Sequence, residues 1–131
     1  MLYISSIYIS ILVALILFLA YRVTTFRRGE SIALGEEGCS KAMKSAVRAH
    51  GNAVENIPIA LILLVALELN HLTPWLLHAF GLILVVARGL HAWGLSRHNG
   101  VSFGRFYGTA LTWLCMVAML VVNVLIVVTA S

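Results

Sequence analysis

The chain has 131 residues, of which 61% are hydrophobic and only 11% are charged, and its formal net charge is +4. Soluble domains carry about 25% charged residues, so this composition excludes an ordinary soluble domain. All nine Lys and Arg residues lie within residues 22–48 and 88–105, beside long apolar runs, a placement that argues against nucleic-acid binding. Because a cation costs about 2.5–3.5 kcal/mol at the centre of a membrane helix, the pattern predicts an integral membrane protein.

Four apolar runs are long enough to cross a hydrocarbon core about 30 Å thick at about 1.5 Å per helical residue. The first is interpreted as a retained helix and not a signal peptide, because no basic segment precedes it and no convincing cleavage site follows it. We expect an all-α, four-helix protomer that occupies residues 1–131 as a single transmembrane domain. The predicted spans cover about residues 2–21, 41–69, 73–95 and 105–128.

The basic residues predict how the helices are oriented. The connection around residues 70–72 and both chain ends contain no Lys or Arg. By the positive-inside rule, the other two connections face the cytoplasm and both termini face away from it. The basic residues of those two connections are Arg22, Arg27, Arg28, Lys41, Lys44, Arg97 and Arg105.

A polar stripe interrupts the second span. Arg48, Asn52 and Glu55 stand at i, i+4 and i+7, which is one face of a helix. Such a face cannot contact lipid, so it must contact other helices, a wet cavity or a ligand. A structural seam of interhelical hydrogen bonds explains the spacing as well as a ligand site does. Pro58 frees the carbonyl of Val54 and predicts a local kink beside the stripe.

Two further polar groups accompany the stripe. Arg88 and His91 share one face of the third span, at a depth near that of Glu55, so we expect a mainly structural Arg88–Glu55 ion pair. His91 is either a ligand donor or a packing histidine. Arg105 and Tyr107 are typical of a membrane interface, and together with the stripe they predict a cationic rim suited to a small anionic ligand.

Residues 48–64, RAHGNAVENIPIALILL, contain an Arg-Ala-x-x-Asn-x-x-Glu pattern that resembles the MAPEG family (membrane-associated proteins in eicosanoid and glutathione metabolism). The Ala87-Arg88-Gly-Leu-His91 segment of the third span and the Arg105–Tyr107 pair of the fourth support this resemblance. The similarity extends over essentially the whole chain, which looks most like a small bacterial inner-membrane branch.

The resemblance implies a homotrimer that binds glutathione as a co-substrate between subunits near the cytoplasmic face. It implies a hydrophobic electrophile that enters from the lipid bilayer, and it requires no metal. By matching position, Arg105 would activate the thiol and Arg88 would partner the glutamate of the second span. The positions that match glutathione contacts in the family are Arg22, Arg48, Asn52, Glu55, His91 and Tyr107.

Three functions remain open from the sequence. The first is a glutathione-dependent membrane transferase or peroxidase. The second is a non-catalytic binding or scaffolding trimer, which Gly51 and Leu95 favour because some family members have an arginine and a tyrosine there. The third is a small proton-coupled exporter, although the first span lacks the essential glutamate that such exporters carry.

Overall fold

Four long helices form the protein in a computed structural model, which describes residues 1–97 and 103–130 and the side chains of residues 1–94 and 103–129. Each helix is long and apolar enough to cross a membrane. No strand occurs in the described part of the chain. The predicted all-α, four-helix fold is confirmed. The helices are α1 (Tyr3–Gly29), α2 (Lys41–Leu69), α3 (Pro74–Arg97) and α4 (Phe103–Ala130).

The first helix is longer than its apolar run predicted. It continues past Tyr21 to Gly29 because arginine is a good helix former, so the charges that end the apolar run do not end the helix. Its 27 residues correspond to about 40 Å, close to the full thickness of a bilayer with its headgroups. Hydropathy therefore predicted the part of α1 that crosses the hydrocarbon core, but not its further helical turns within the headgroup layer.

The core of the bundle is apolar and closely packed. Leu12 and Leu19 of α1 are 1% exposed, and Leu64 of α2, Leu84 of α3 and Met119 of α4 are fully buried. Lipid tails are as apolar as these side chains, so van der Waals packing holds the helices together more than removal from water does. Both α1 and α4 pack against α2 and α3, and they do not contact each other in the described residues.

Two glycines allow α4 to approach α3 closely. A Cβ atom added at Gly104 would lie 2.7 Å from the carbonyl oxygen of Leu90. One added at Gly108 would lie 2.7 Å from both the carbonyl oxygen of Ala87 and the backbone nitrogen of His91. Small residues four positions apart are a common contact between membrane helices. The sequence predictions did not include this pair, although its spacing is visible in the chain.

Hydrogen bonds link the end of α2 to α1 and to α4. The Glu68 carboxylate accepts hydrogen bonds from the backbone N–H groups of Ile4 (2.9 Å) and Ser5 (2.6 Å). Those N–H groups lie in the first turn of α1 and have no partner within the helix, and a negative charge there is also favoured by the helix dipole. Asn70 Nδ2 donates to Asn123 Oδ1 at 2.8 Å and joins α2 to α4.

The connection between α1 and α2 is fixed by Ser40. Its side-chain oxygen caps α2 by accepting from the Met43 backbone N–H at 3.1 Å. The Ser40 backbone N–H donates to Glu30 at 2.8 Å, and the Ser40 hydroxyl donates to the same carboxylate. These hydrogen bonds stabilise the charged form and lower the pKa of the Glu30 carboxyl. The end of α1 is thereby linked to the beginning of α2.

Replacing Gly108 with alanine should destabilise the protein by about 1–3 kcal/mol, because the new methyl group would collide with the backbone of α3. The matched control is Gly89→Ala on α3, where nothing lies within 4 Å of an added Cβ. This control should be neutral or stabilising by up to about 1 kcal/mol, since alanine favours the helix. Unfolding followed by circular dichroism in detergent measures both. Equal stability of the two variants would contradict the close approach of α4 to α3.

Candidate functional site

A polar cleft of about 280 Å³ lies at the end of the bundle where α2 and α4 begin. It is formed by side chains from three helices, α2, α3 and α4. Five of the residues predicted from the sequence to form a site are therefore brought together by the fold. The cleft is lined by Arg48, Gly51, Asn52, Glu55, His91 and Arg105.

The α2 side of the cleft is the stripe predicted from the sequence. Arg48 and Glu55 are exposed on the protomer, and Asn52 between them is half-buried. Gly51 belongs to the same wall, and an added Cβ there would meet nothing within 4 Å. The stripe thus presents a guanidinium and a carboxylate, separated by an amide, to the same open space.

Arg88 is buried behind this wall, with only 2% of its surface exposed. Its Nη2 atom donates to Asn52 Oδ1 at 2.8 Å. The expected Arg88–Glu55 ion pair is not formed in the protomer, and Asn52 is the partner instead. The ion pair does not form because the two side chains point to different places. The Arg88 side chain lies in the bundle interior, whereas Glu55 lies on the exposed side of α2.

Several buried nitrogen atoms near the cleft have no hydrogen-bond partner among the described residues. Arg88 Nε, Arg88 Nη1 and His91 Nδ1 are buried without a hydrogen bond to any described residue. The Arg88 atoms are donors, and His91 Nδ1 donates or accepts according to its tautomer. A buried donor without a partner costs about 1–3 kcal/mol, so this region has unused capacity to bind an anionic or polar ligand. His91 is only 2% exposed and its Nδ1 atom lacks a described partner, so it remains a candidate ligand contact.

Arg105 and Tyr107, predicted as one rim, lie on different sides of α4. Arg105 is half-buried and lines the cleft. Tyr107 is exposed and is not among the cleft residues; its ring contacts Phe103 at 4.2 Å and Phe106 at 5.3 Å between ring centroids. Two residues correspond to about 200° around a helix, so the two side chains cannot both face one cleft of the same protomer.

Arg22 also lies outside the cleft of its own protomer. It is half-buried on α1, and it is not among the residues that line the cleft. The cleft uses α4 for one wall, and α1 does not contact α4 in the described part of the chain. Arg22 and Tyr107 are therefore on separate flanks of the protomer. Leu95, the expected counterpart of a family tyrosine, lies outside the described side chains.

A second groove, of about 330 Å³, adjoins the cleft on α4. It shares Arg105 with the cleft, and its other walls are mostly apolar. Positions 105, 109 and 113 follow the i, i+4, i+8 spacing of one helix face, which was a signal available in the sequence. The groove is lined by Arg105, Phe106, Thr109, Ala110 and Trp113.

Asn56 links this groove to the cleft, a role that the sequence predictions did not assign to it. Its Oδ1 atom accepts from Trp113 Nε1 at 3.1 Å, and its Nδ2 atom donates to the backbone carbonyl of Asn52 at 2.9 Å. Asn52 in turn accepts from Arg88. A chain of hydrogen bonds therefore runs from the exposed indole to the buried guanidinium, and it fixes the relative positions of the two walls.

The structure predicts that Asn52 and not Glu55 stabilises the buried Arg88. Asn52→Leu should lower the free energy of unfolding by about 1.5–3 kcal/mol, the contribution of a hydrogen bond to a charged group. Glu55→Gln, a change on an exposed side chain of the same helix, should alter it by about 0.5 kcal/mol or less. Denaturant unfolding of both variants in detergent gives the comparison. A larger loss for Glu55→Gln would favour the ion pair after all.

Comparison with known proteins agrees with this architecture. The sequence model of the MAPEG family matches residues 5–125. Inner membrane protein YecN of Escherichia coli K12 is 32% identical over 120 residues, which cover 92% of this chain and 89% of YecN. YecN of Escherichia coli O6:H1 gives the same values. The four apolar helices and these relatives make the protein a multi-pass inner-membrane protein. The chain belongs to the MAPEG family.

Proposed function

We propose that the cleft binds glutathione and that the protein is a glutathione-dependent membrane transferase or peroxidase that acts on hydrophobic electrophiles. The observation that carries this proposal is the convergence of opposite charges on one small cleft. Two guanidinium groups, Arg48 and Arg105, and one carboxylate, Glu55, line it together with Asn52 and His91.

The charges of glutathione complement those of the cleft. The ligand has two carboxylates, one ammonium group and one thiol. Arg48 and Arg105 offer planar guanidinium groups that bind carboxylates through paired hydrogen bonds. Glu55 can accept from the ammonium group, and it forms no hydrogen bond or ion pair within the described protomer. Asn52 and His91 remain available for the peptide groups of the ligand.

The exposed stripe also supports a homotrimer with sites between subunits. A carboxylate at the middle of a membrane helix that faced acyl chains would cost about 2.5–3.5 kcal/mol, so Glu55 requires cover from another molecule, and Arg48 is exposed on the same helix face. The cleft of one protomer is slightly smaller than the roughly 300–1,000 Å³ of typical ligand pockets. Arg22 and Tyr107 lie on separate flanks, and a closed ring brings different flanks of neighbouring protomers together. A neighbouring subunit would therefore complete the glutathione site with one or both residues.

The orientation of the chain supports access to cytosolic glutathione. The cleft lies at the same end of the bundle as the basic connection between α1 and α2. The positive-inside rule predicts that this end faces the cytoplasm and that both termini lie on the other side. Glutathione is the principal thiol buffer of the cytosol, so the proposed site faces its supply.

Arg105 is the residue that we assign to thiol activation. A thiol is nucleophilic as the thiolate, and a permanently charged guanidinium beside it lowers its pKa from about 8.5. The thiol proton leaves to water, and the sulfur then forms a bond to the electrophilic carbon while the leaving group departs with its electron pair. The groove that ends at Trp113 shares Arg105 with the cleft and provides a path for an apolar electrophile from the membrane.

Calorimetry with the assembled protein in detergent tests the proposal. Glutathione should bind with a micromolar-to-millimolar dissociation constant, and Arg48→Ala or Glu55→Ala should abolish the binding heat because each removes a charge partner of the ligand. The control is Lys44→Ala, which removes a cation from the same helix outside the cleft and should leave binding unchanged. Intact protein that gives no glutathione heat would refute the assigned ligand.

Two further readouts separate binding from catalysis. The ultraviolet absorbance of the glutathione thiolate should increase on binding to the protein, and this increase should disappear in Arg105→Ala. If the thiolate absorbance persists in that variant, Arg22 or Arg48 activates the thiol instead. Conjugation of a generic aryl halide would establish turnover. Glutathione binding without conjugation would identify the second candidate, a non-catalytic binding trimer, which Gly51 favours because it removes a possible cation from the cleft wall.

A further inference from the structure

A second cationic cavity, about 370 Å³ in volume and open at the protein surface, lies where α1 ends. It shares no residue with the proposed glutathione cleft, and it is formed by the last turns of α1 and the chain that follows them. Its lining contains two guanidinium groups and two hydroxyl groups. The lining residues are Thr24, Arg27, Arg28, Ser31, Ile32 and Ala33.

The cavity is a built feature of the fold, because the chain turns back over the end of α1. Ser31 adopts a left-handed conformation with φ of 55°, and the Ile32 backbone N–H donates to the Arg27 carbonyl at 3.0 Å. Arg27 Nη1 donates to the carbonyl of Gly35 at 3.2 Å and holds the loop against the helix. One wall is thus helical and the other is the returning loop.

The charge of the cavity is positive and is not cancelled by its lining. No carboxylate is among the lining residues that the structure describes. Glu30, the acidic residue next to them in sequence, is held by Ser40 at the start of α2. The Arg28 side chain makes no hydrogen bond or ion pair with any residue that the structure describes. At least one guanidinium therefore remains available to an anion.

The depth of the cavity indicates the source of that anion. At about 1.5 Å per residue, the 27 residues of α1 span the hydrocarbon core and reach into both headgroup layers, so its last turn lies among lipid headgroups. The loop beside the cavity continues into Leu34, whose side chain is 92% exposed. An exposed leucine next to arginines is suited to the boundary between acyl chains and headgroups.

We infer that this cavity binds the phosphate of an anionic phospholipid headgroup. Arg27 and Arg28 provide the fork-like donors that match phosphate oxygens, and the Ser31 hydroxyl can add a further hydrogen bond. Ile32 and Leu34 contact the apolar part of the same lipid. Basic pockets at the ends of membrane helices bind anionic headgroups in this way. The inference is independent of the glutathione proposal, because the two sites share no side chain.

Native mass spectrometry of the full chain in detergent tests the inference, with short-chain phosphatidylglycerol, phosphatidylcholine and inorganic phosphate as probes. Phosphatidylglycerol should bind more tightly than phosphatidylcholine. The double variant Arg27→Gln with Arg28→Gln should weaken phosphatidylglycerol binding about 30-fold. Each cation near an anionic headgroup contributes about 1 kcal/mol, and the loss of both corresponds to this change in affinity. Arg28→Gln alone should weaken it about fivefold with the loop intact, because Arg28 makes no bond to the loop.

The matched control is Lys41→Gln with Lys44→Gln, which removes the same charge from exposed positions outside the cavity. This control should reduce phosphatidylglycerol affinity less than threefold, roughly the effect of distant surface charge. Circular dichroism and glutathione heats should be unchanged in both double variants. The lipid assignment would be overturned if both double variants lost equal affinity for phosphatidylglycerol, or if the protein showed no preference for it over phosphatidylcholine. Displacement of the lipid by inorganic phosphate at equal concentration would also overturn it.

Discussion

Charged side chains at membrane depth must be covered, and this constraint organises the protein. Arg88 satisfies it within the protomer, since it is 2% exposed and donates to Asn52 at 2.8 Å. Arg48 and Glu55 do not satisfy it within the protomer, because both are exposed. A charge at a helix centre costs about 2.5–3.5 kcal/mol, so the exposed Glu55, at the middle of the 29-residue α2, makes an isolated protomer in lipid unfavourable. In the proposed trimer, the same side chains would both favour assembly and form the polar surface of the glutathione site.

The chemistry of the cleft depends on close packing as much as on charge. Gly104 and Gly108 allow the first turns of α4 to lie directly against α3, and this contact places Arg105 in the same cleft as His91. Asn56 then connects α2 to Trp113 on α4. Three helices are thus fixed relative to one another by small residues and amides. The apolar groove on α4 meets the polar cleft at Arg105, the point at which the proposed reaction would bring glutathione and the electrophile together.

The sequence predicted the four helices because their apolar runs have the length of a bilayer, and it predicted the α2 stripe because three polar residues follow the helical period. It could not give the partner of Arg88. Position along a helix specifies depth in the membrane, whereas the partner depends on how each side chain points into the bundle, and Asn52 lies inward where Glu55 does not. The sequence did not predict that α1 continues to Gly29, because charged residues end an apolar run but do not end a helix. The separation of Arg105 from Tyr107 was predictable from their spacing of two residues.

A cryo-electron microscopy map of the protein in lipid nanodiscs with glutathione would show whether Arg48 and Glu55 meet the ligand at a contact between two chains. We expect Arg48 and Glu55 to be covered at a contact between two chains, with glutathione density touching both side chains and approaching Arg105. A map in which Arg48 and Glu55 point toward acyl chains, with no ligand density in the cleft at saturating glutathione, would contradict the account.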